Sequence, residues 1–150
     1  MVLTLTIVLI ISLVLMTRVN SSPLAQIKTV LRKSQYQEYA KFIVNQMNLE
    51  SGFITNTLSQ PPIYNPFSMS KVRIRPTTQL EGFYRNPRID NNQKFGVYEN
   101  YVSSAEDFIL YLDYVRIPSG LDCQGYNSFI VSKGYASDKN YETKLNQMCG

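Results

Sequence analysis

The sequence predicts an α+β fold: a mostly helical body with a small β-hairpin lobe. Three observations lead there. Apolar residues recur at helical spacing on both sides of the chain's middle, two strand-like segments joined by turn residues stand between them, and the composition is that of a packed globular protein. The chain has 150 residues, 44% of them hydrophobic and 17% charged, which suits one domain with a single core.

Residues 2–16 carry no charge and are dominated by Leu, Ile and Val. At roughly 1.5 Å per residue such a helix falls short of a ~30 Å hydrocarbon core and fits the hydrophobic region of a signal peptide. Val19-Asn20-Ser21 provides small or modest residues around a cleavage point, although no Lys or Arg precedes the apolar run and Arg18 follows it directly. Residues 1–21 therefore read as a signal peptide or a retained signal-anchor, and residues 22–150 as the working domain. The expectation is an exported protein of the periplasm, cell envelope or extracellular space. Membrane contact is expected only through residues 2–16, if the leader is kept.

Pro23 suits a first helical turn, and Leu24, Ile27, Val30 and Leu31 predict a helix over Pro23–Arg32. A second helix follows from Gln35 to Asn48, its stripe formed by Tyr39, Phe42, Ile43, Gln46 and Met47. Ser51 and Gly52 stop it, so Glu50 lands at its C-terminal boundary, ahead of the aromatic Phe53. A carboxylate placed there suits a general acid and equally suits an ordinary helix end. Residues 54–64 lack periodicity and contain Pro61-Pro62, which predicts a loop or a short helix followed by a loop.

Residues 79–85 and 94–100 form the hairpin, with Asn86-Pro87 and Asp90-Asn91-Asn92 as turn chemistry. Ser103-Ser104-Ala105-Glu106 reads as a capping box with Ser103 as the cap. The helix it opens buries Phe108, Ile109, Leu112 and Val115 and closes at Pro118. After a loop over residues 119–124, Tyr126, Phe129 and Ile130 mark a short helix ended by Gly134. Asp138 is expected to cap a last helix, on which Tyr141, Leu145 and Met148 share a face.

The chain contains no His, which excludes Ser-His-Asp and Cys-His nucleophile systems and imidazole bases. Proton transfer falls to carboxylates, Tyr, Lys or Cys. No metal site and no cofactor is expected. The net charge is +4, and Lys71, Arg73 and Arg75 alternate along one short stretch. If extended, that stretch presents a solvated basic face or a weak attraction for an anionic polymer; the basic residues are too sparse for a nucleic-acid partner. Cys123 and Cys149 are the two cysteines. In an exported chain a disulfide between them is plausible and would contribute roughly 3 kcal/mol by loop closure, whereas a reducing compartment would leave two thiols.

Four segments stand in order: Leu49-Glu50-Ser51-Gly52-Phe53; Asn65-Pro66-Phe67-Ser68-Met69; Phe95-Gly96-Val97-Tyr98 running into Ser104-Ala105-Glu106-Asp107-Phe108; and Gly134-Tyr135-Ala136-Ser137-Asp138-Lys139-Asn140-Tyr141. Together they resemble the glucosaminidase domains of glycoside hydrolase family 73, lysozyme-like enzymes that cut bacterial peptidoglycan. The resemblance spans about Gln35 to Met148. Pro66 and Ser68 depart from the Leu and Gly common there, and Phe53 stands where Trp is common.

The resemblance implies an endo-β-N-acetylglucosaminidase cleaving the β-1,4 bond between N-acetylglucosamine and N-acetylmuramic acid, with peptidoglycan glycan strands as its partner. It implies Glu50 as general acid, which requires a carboxyl pKa raised by desolvation. Glu81 is the second carboxylate, with Asp90 its rival, and an inverting enzyme would use it to activate water. Alternatively the substrate's own acetamido group assists. Tyr135 and Tyr141 match the tyrosines of the family's terminal motif, with catalysis and core packing both open. Phe53, Asn65 and Phe67 are expected to bind the sugar, Phe67 being equally suited to the core. A muramidase is the enzymatic rival, and a non-catalytic murein-binding or structural domain of an envelope or virion assembly is the other reading. Bacterial and phage origins both fit.

Overall fold

The computed structural model describes residues 21–87 and 92–150; the apolar leader segment and the turn residues Asp90 and Asn91 lie outside them. The described residues form helices α1 (Pro23–Lys33), α2 (Ala40–Ser51), α3 (Tyr101–Val115), α4 (Cys123–Ser132) and α5 (Tyr141–Asn146), with strands β1 (Phe83–Tyr84) and β2 (Phe95–Gly96) between α2 and α3. Helix α1 packs on α2 and α3, while α2 also meets α4 and α5. Met47, Phe67, Phe108, Leu112, Tyr126 and Ile130 are fully buried where these elements converge.

Helix α1 starts where the Ser22 side chain accepts the Ala25 N–H, with Pro23 in the first turn and Arg32 and Lys33 in the last. The helix expected from Gln35 begins later. Ser34 accepts the Tyr36 N–H with its hydroxyl, which favours a turn over helix, and a 3₁₀ turn over Gln37–Tyr39 leads into α2. Helix α2 runs through Glu50 to Ser51, and Gly52, with φ 56°, closes it in the left-handed conformation.

Other boundaries move for similar local reasons. Helix α3 opens at Tyr101, not after Ser103, because Asn100 accepts the Ser103 N–H at 2.9 Å and takes the capping role. It ends at Val115 with Arg116 in the left-handed conformation, ahead of Pro118. Helix α4 begins inside the expected loop, capped by Asp122 through the Gly125 N–H at 2.8 Å. Asp138 does not cap α5; it accepts the Asn140 N–H in the preceding turn. The hairpin contracts to two residues per strand, Phe83 pairing with Gly96 and Tyr84 with Phe95. The rest of that bonding goes to a third segment: the Gly96 N–H donates to Met69 O and the Lys71 N–H to Lys94 O.

Cys123 and Cys149 form a disulfide with Cα atoms 5.8 Å apart, joining the start of α4 to the chain end. Asn127 adds an amide hydrogen bond to Asn146, and Asn45 of α2 donates to the Met148 carbonyl.

The lobe is clamped to the body by Asp107, a fully buried residue of α3. Its carboxylate accepts a two-pronged bond from Arg75 at 2.8 and 3.0 Å, and further bonds from Thr77 at 2.6 Å and Tyr98 at 2.7 Å. Gln79 completes the set at 3.2 Å, and its side chain fills the space that a Cβ on Gly96 would need. Arg75 therefore does not join Lys71 and Arg73 on a solvated face; its side chain turns inward and retains 4% exposure. Burial alone would raise the Asp107 pKa, but the bonds from Arg75, Thr77 and Tyr98 together with the Arg75 charge hold it below the usual carboxylate range.

Replacing Asp107 by Ala should cost about 3–5 kcal/mol, since it strands a buried guanidinium; urea unfolding measures this. The lowered pKa adds a sign. The ionised group stabilises the fold above the unfolded-state pKa of about 3.9, and that contribution is lost as pH falls through the folded value. The gap between wild type and Asp107→Asn should thus be wide at neutral pH and narrow on acidification.

Candidate active site

Helix α2 carries Glu50 in its last turn, and its main chain is fixed from two directions. Asn56 donates to the Glu50 carbonyl at 2.9 Å, and the Ser68 hydroxyl approaches it at 3.5 Å. Beyond the helix, Gly52, Phe53 and Ile54 all have positive φ, a sequence of left-handed residues that the Ser51 hydroxyl braces by accepting the Ile54 N–H. The turn reverses the chain within a few residues of the carboxylate.

The side chain of Glu50 is half-buried, and the Tyr141 hydroxyl donates to its Oε1 at 2.5 Å. Desolvation raises the Glu50 pKa, while hydrogen bonds from Tyr141 and Ser68 oppose the rise. These opposed effects suit a proton donor. Burial keeps the acid protonated at higher pH than a free Glu, and the tyrosine hydroxyl stabilises the carboxylate once the proton has left. Burial and the Glu50 charge push the Tyr141 pKa far up, so this hydroxyl stays a donor.

Behind the pair lie Gln46 and Tyr126, which the sequence places in helices without marking the polar bond between them. Gln46, one turn before Glu50, is fully buried and accepts the Tyr126 hydroxyl at 2.7 Å. Its Nε2 has no hydrogen-bond partner among the described residues. The i, i+4 spacing of Gln46 and Glu50 on α2 was the available signal: a polar residue inside an otherwise apolar stripe.

The other expected site residues divide. Tyr135 stacks on Tyr141 with ring centroids 6.3 Å apart, but its hydroxyl is committed to the Phe67 carbonyl at 2.5 Å, which makes it a brace for the site's floor. Asn65 and Phe67 do not line a sugar groove. Asn65 is fully buried, donating to the Met69 and Gly96 carbonyls and accepting the Met69 N–H, and so shapes the turn that presents Ser68. Phe67 is fully buried and stacks on Phe108 at 4.5 Å, as a core residue. Phe53 is 71% exposed and free to meet a ligand. Glu81 is exposed at the bend entering β1, and Asp90 falls outside the described residues.

A cleft of about 440 Å³ opens beside the acid between the 68–75 segment, α3 and the end of α4. Glu50 does not line it, but its neighbours Ser68 and Tyr135 do. Tyr111 also lines the cleft; its hydroxyl is buried without a hydrogen-bond partner among the described residues, and burial pushes its pKa up to about 12.

The raised Glu50 pKa has a stability consequence. Stability linked to this group is full below the unfolded-state pKa of about 4.3 and declines as pH rises through the folded value. Glu50→Gln keeps an acceptor for Tyr141 without the charge, so it should be more stable than wild type at neutral pH. The difference should vanish below pH 4, as thermal unfolding across pH will show.

The fold has counterparts among solved structures. The fold is similar to that of a peptidoglycan hydrolase from Sphingomonas sp. A1, with TM-score 0.60 and 20% identity over 83% of this chain and 81% of that one. The catalytic domain of the autolysin Auto from Listeria monocytogenes gives TM-score 0.56 and 20% identity, covering 85% and 78% of the two chains. A C-terminally truncated glycoside hydrolase domain of FlgJ from Salmonella typhimurium gives TM-score 0.56 and 24% identity, covering 85% and 93%. These likenesses establish a lysozyme-like fold. A search of curated protein sequences found no significant match. The glucosaminidase family model, described as mannosyl-glycoprotein endo-beta-N-acetylglucosaminidase, matches residues 28–150. A chain with this fold and a match over nearly all of its described length is a glycosidase that belongs to the glucosaminidase family, glycoside hydrolase family 73.

Proposed function

We propose that this protein is a peptidoglycan hydrolase, an endo-β-N-acetylglucosaminidase that cleaves the β-1,4 bond between N-acetylglucosamine and N-acetylmuramic acid. The observation that carries the reading is the Glu50 carboxyl, desolvated, held by the Tyr141 hydroxyl and set beside an open cleft. Two of the structural neighbours are described as a peptidoglycan hydrolase and an autolysin, which supports murein over a glycoprotein as the substrate.

In this mechanism Glu50 protonates the leaving glycosidic oxygen as an oxocarbenium-like centre develops at the adjacent sugar. Tyr141 then stabilises the Glu50 carboxylate by donating its hydroxyl hydrogen. Glu81, exposed on the lobe, is the proposed base that activates water on the opposite face of the sugar. Phe53, exposed on the turn after the acid, gives the glycan an aromatic surface.

Export fits the reading. Residues 1–21 are proposed as the export signal, and the Cys123–Cys149 disulfide suits an oxidising compartment. Among the described residues, no helix is long and apolar enough to cross a membrane.

Release of reducing ends from purified murein tests the proposal, with mass spectrometry of the products. Wild type should release N-acetylglucosamine ends, and Glu50→Gln should lose roughly 10²–10⁴-fold in rate while still binding murein. N-acetylmuramic acid ends would make the enzyme a muramidase. The anomer first released decides the partner: inversion, with activity lost in Glu81→Gln, supports Glu81. Retention with an active Glu81→Gln variant assigns the second role to the substrate's acetamido group.

A further inference from the structure

The cleft beside Glu50 has a one-sided charge. Lys71, Arg73 and Lys133 line it, and no Asp or Glu does among the described residues. Arg75 also reaches it, but its charge is matched by Asp107. Arg73 is exposed on the 68–75 segment, while Lys133 sits just past α4 with its ammonium over the Phe129 ring at 4.9 Å. Lys71 donates to the Leu80 carbonyl, a neutral acceptor that leaves its charge unmatched. Three basic residues thus line a space about 440 Å³ in volume from two separate parts of the fold.

A neutral glycan offers such a surface hydrogen-bond acceptors but no charge to match its own. The acetamido and hydroxyl groups of N-acetylglucosamine carry no charge. The anionic groups of a stem-bearing murein strand are the carboxylates of the peptides on its lactyl groups. Ser68 and Tyr135 line the cleft, and Ser68 also approaches the Glu50 carbonyl, which puts an occupant of the cleft near the strand being cut.

We propose that this cleft is a subsite for the carboxylates of a peptide stem, and that the enzyme prefers stem-substituted glycan strands to bare ones. The inference rests on the peptidoglycan reading and deepens it. Lys71, Arg73 and Lys133 act as the recognition charges, and Tyr111 supplies an aromatic wall for the aliphatic part of the stem.

The test compares two substrates: soluble uncrosslinked strands bearing their stems, and the same strands stripped by an amidase and then converted to lactyl methylamides, because amide hydrolysis leaves a carboxylate on each lactyl group. The readout is kcat/KM for reducing-end release by the full protein, wild type and the double variant Arg73→Gln, Lys133→Gln. Exposed ion pairs are each worth little, so wild type should prefer substituted strands by roughly five-fold at low salt. That ratio should fall toward one in the double variant, and in wild type at about 1 M salt, where screening acts within ~3 Å. The salt series holds even if the variant folds poorly. Equal rates on the two substrates at low salt overturn the subsite and leave the peptidoglycan reading intact. A preference that survives both the double variant and high salt also overturns it. If wild type cuts neither substrate, the reading and the subsite fall together. Equal rates on the two substrates, both suppressed by millimolar inorganic phosphate, assign the cleft to a phosphate-bearing wall polymer and overturn the stem proposal.

Discussion

The buried carboxylate of Asp107 is the constraint on which the rest of the structure depends. One residue of α3 gathers Arg75, Thr77, Gln79 and Tyr98, drawn from both sides of the hairpin. The two-residue strands are too short to hold a lobe by pairing alone. Fixing residues 75–79 on α3 anchors one end of the segment whose other end, at Ser68 and Met69, is held by Asn65. The lobe is therefore held to the body by a buried charge, and the turn beside Glu50 by a buried amide.

A second constraint acts on Glu50 itself. Its surroundings are apolar enough to favour the neutral acid, yet a tyrosine hydroxyl points at the oxygen that becomes charged. The aromatic packing behind it keeps water out: Tyr135 stacks on Tyr141 and meets Tyr111 and Phe108 edge-on. The buried Gln46–Tyr126 bond extends this order one layer deeper. A site of this kind is held in a less stable state than a neutral residue would give it, the usual cost of a functional acid.

Much of this was legible in the sequence where local physics decides. The helical stripes, the Gly52 stop after Glu50 and the Pro23 start follow from neighbours in the chain. Capping was less legible because several residues competed: Asn100 displaces Ser103, and Asp122 caps α4 within a stretch that looked like loop. Tertiary pairing was not legible at all. Arg75 reads as a third surface cation until Asp107, 32 residues away, turns it inward. Asn65 and Phe67 carry groove-like chemistry, but the fold places both beneath the surface, where the amide satisfies backbone groups and the ring completes the core. The left-handed backbone at Ser68, φ 51°, gives a physical reason for glycine at that position; here a hydroxyl near Glu50 accompanies the strain.

The donor to the acid arrives on α5, six residues long and near the end of the chain. A helix of that length does not persist on its own in water. Its anchors are the Cys123–Cys149 bridge, the Asn127–Asn146 bond and the Asn45 bond to Met148. The last ten residues therefore act as a latch on the catalytic group. Trimming the C-terminus or reducing the bridge is an injury to the active site, delivered from outside it.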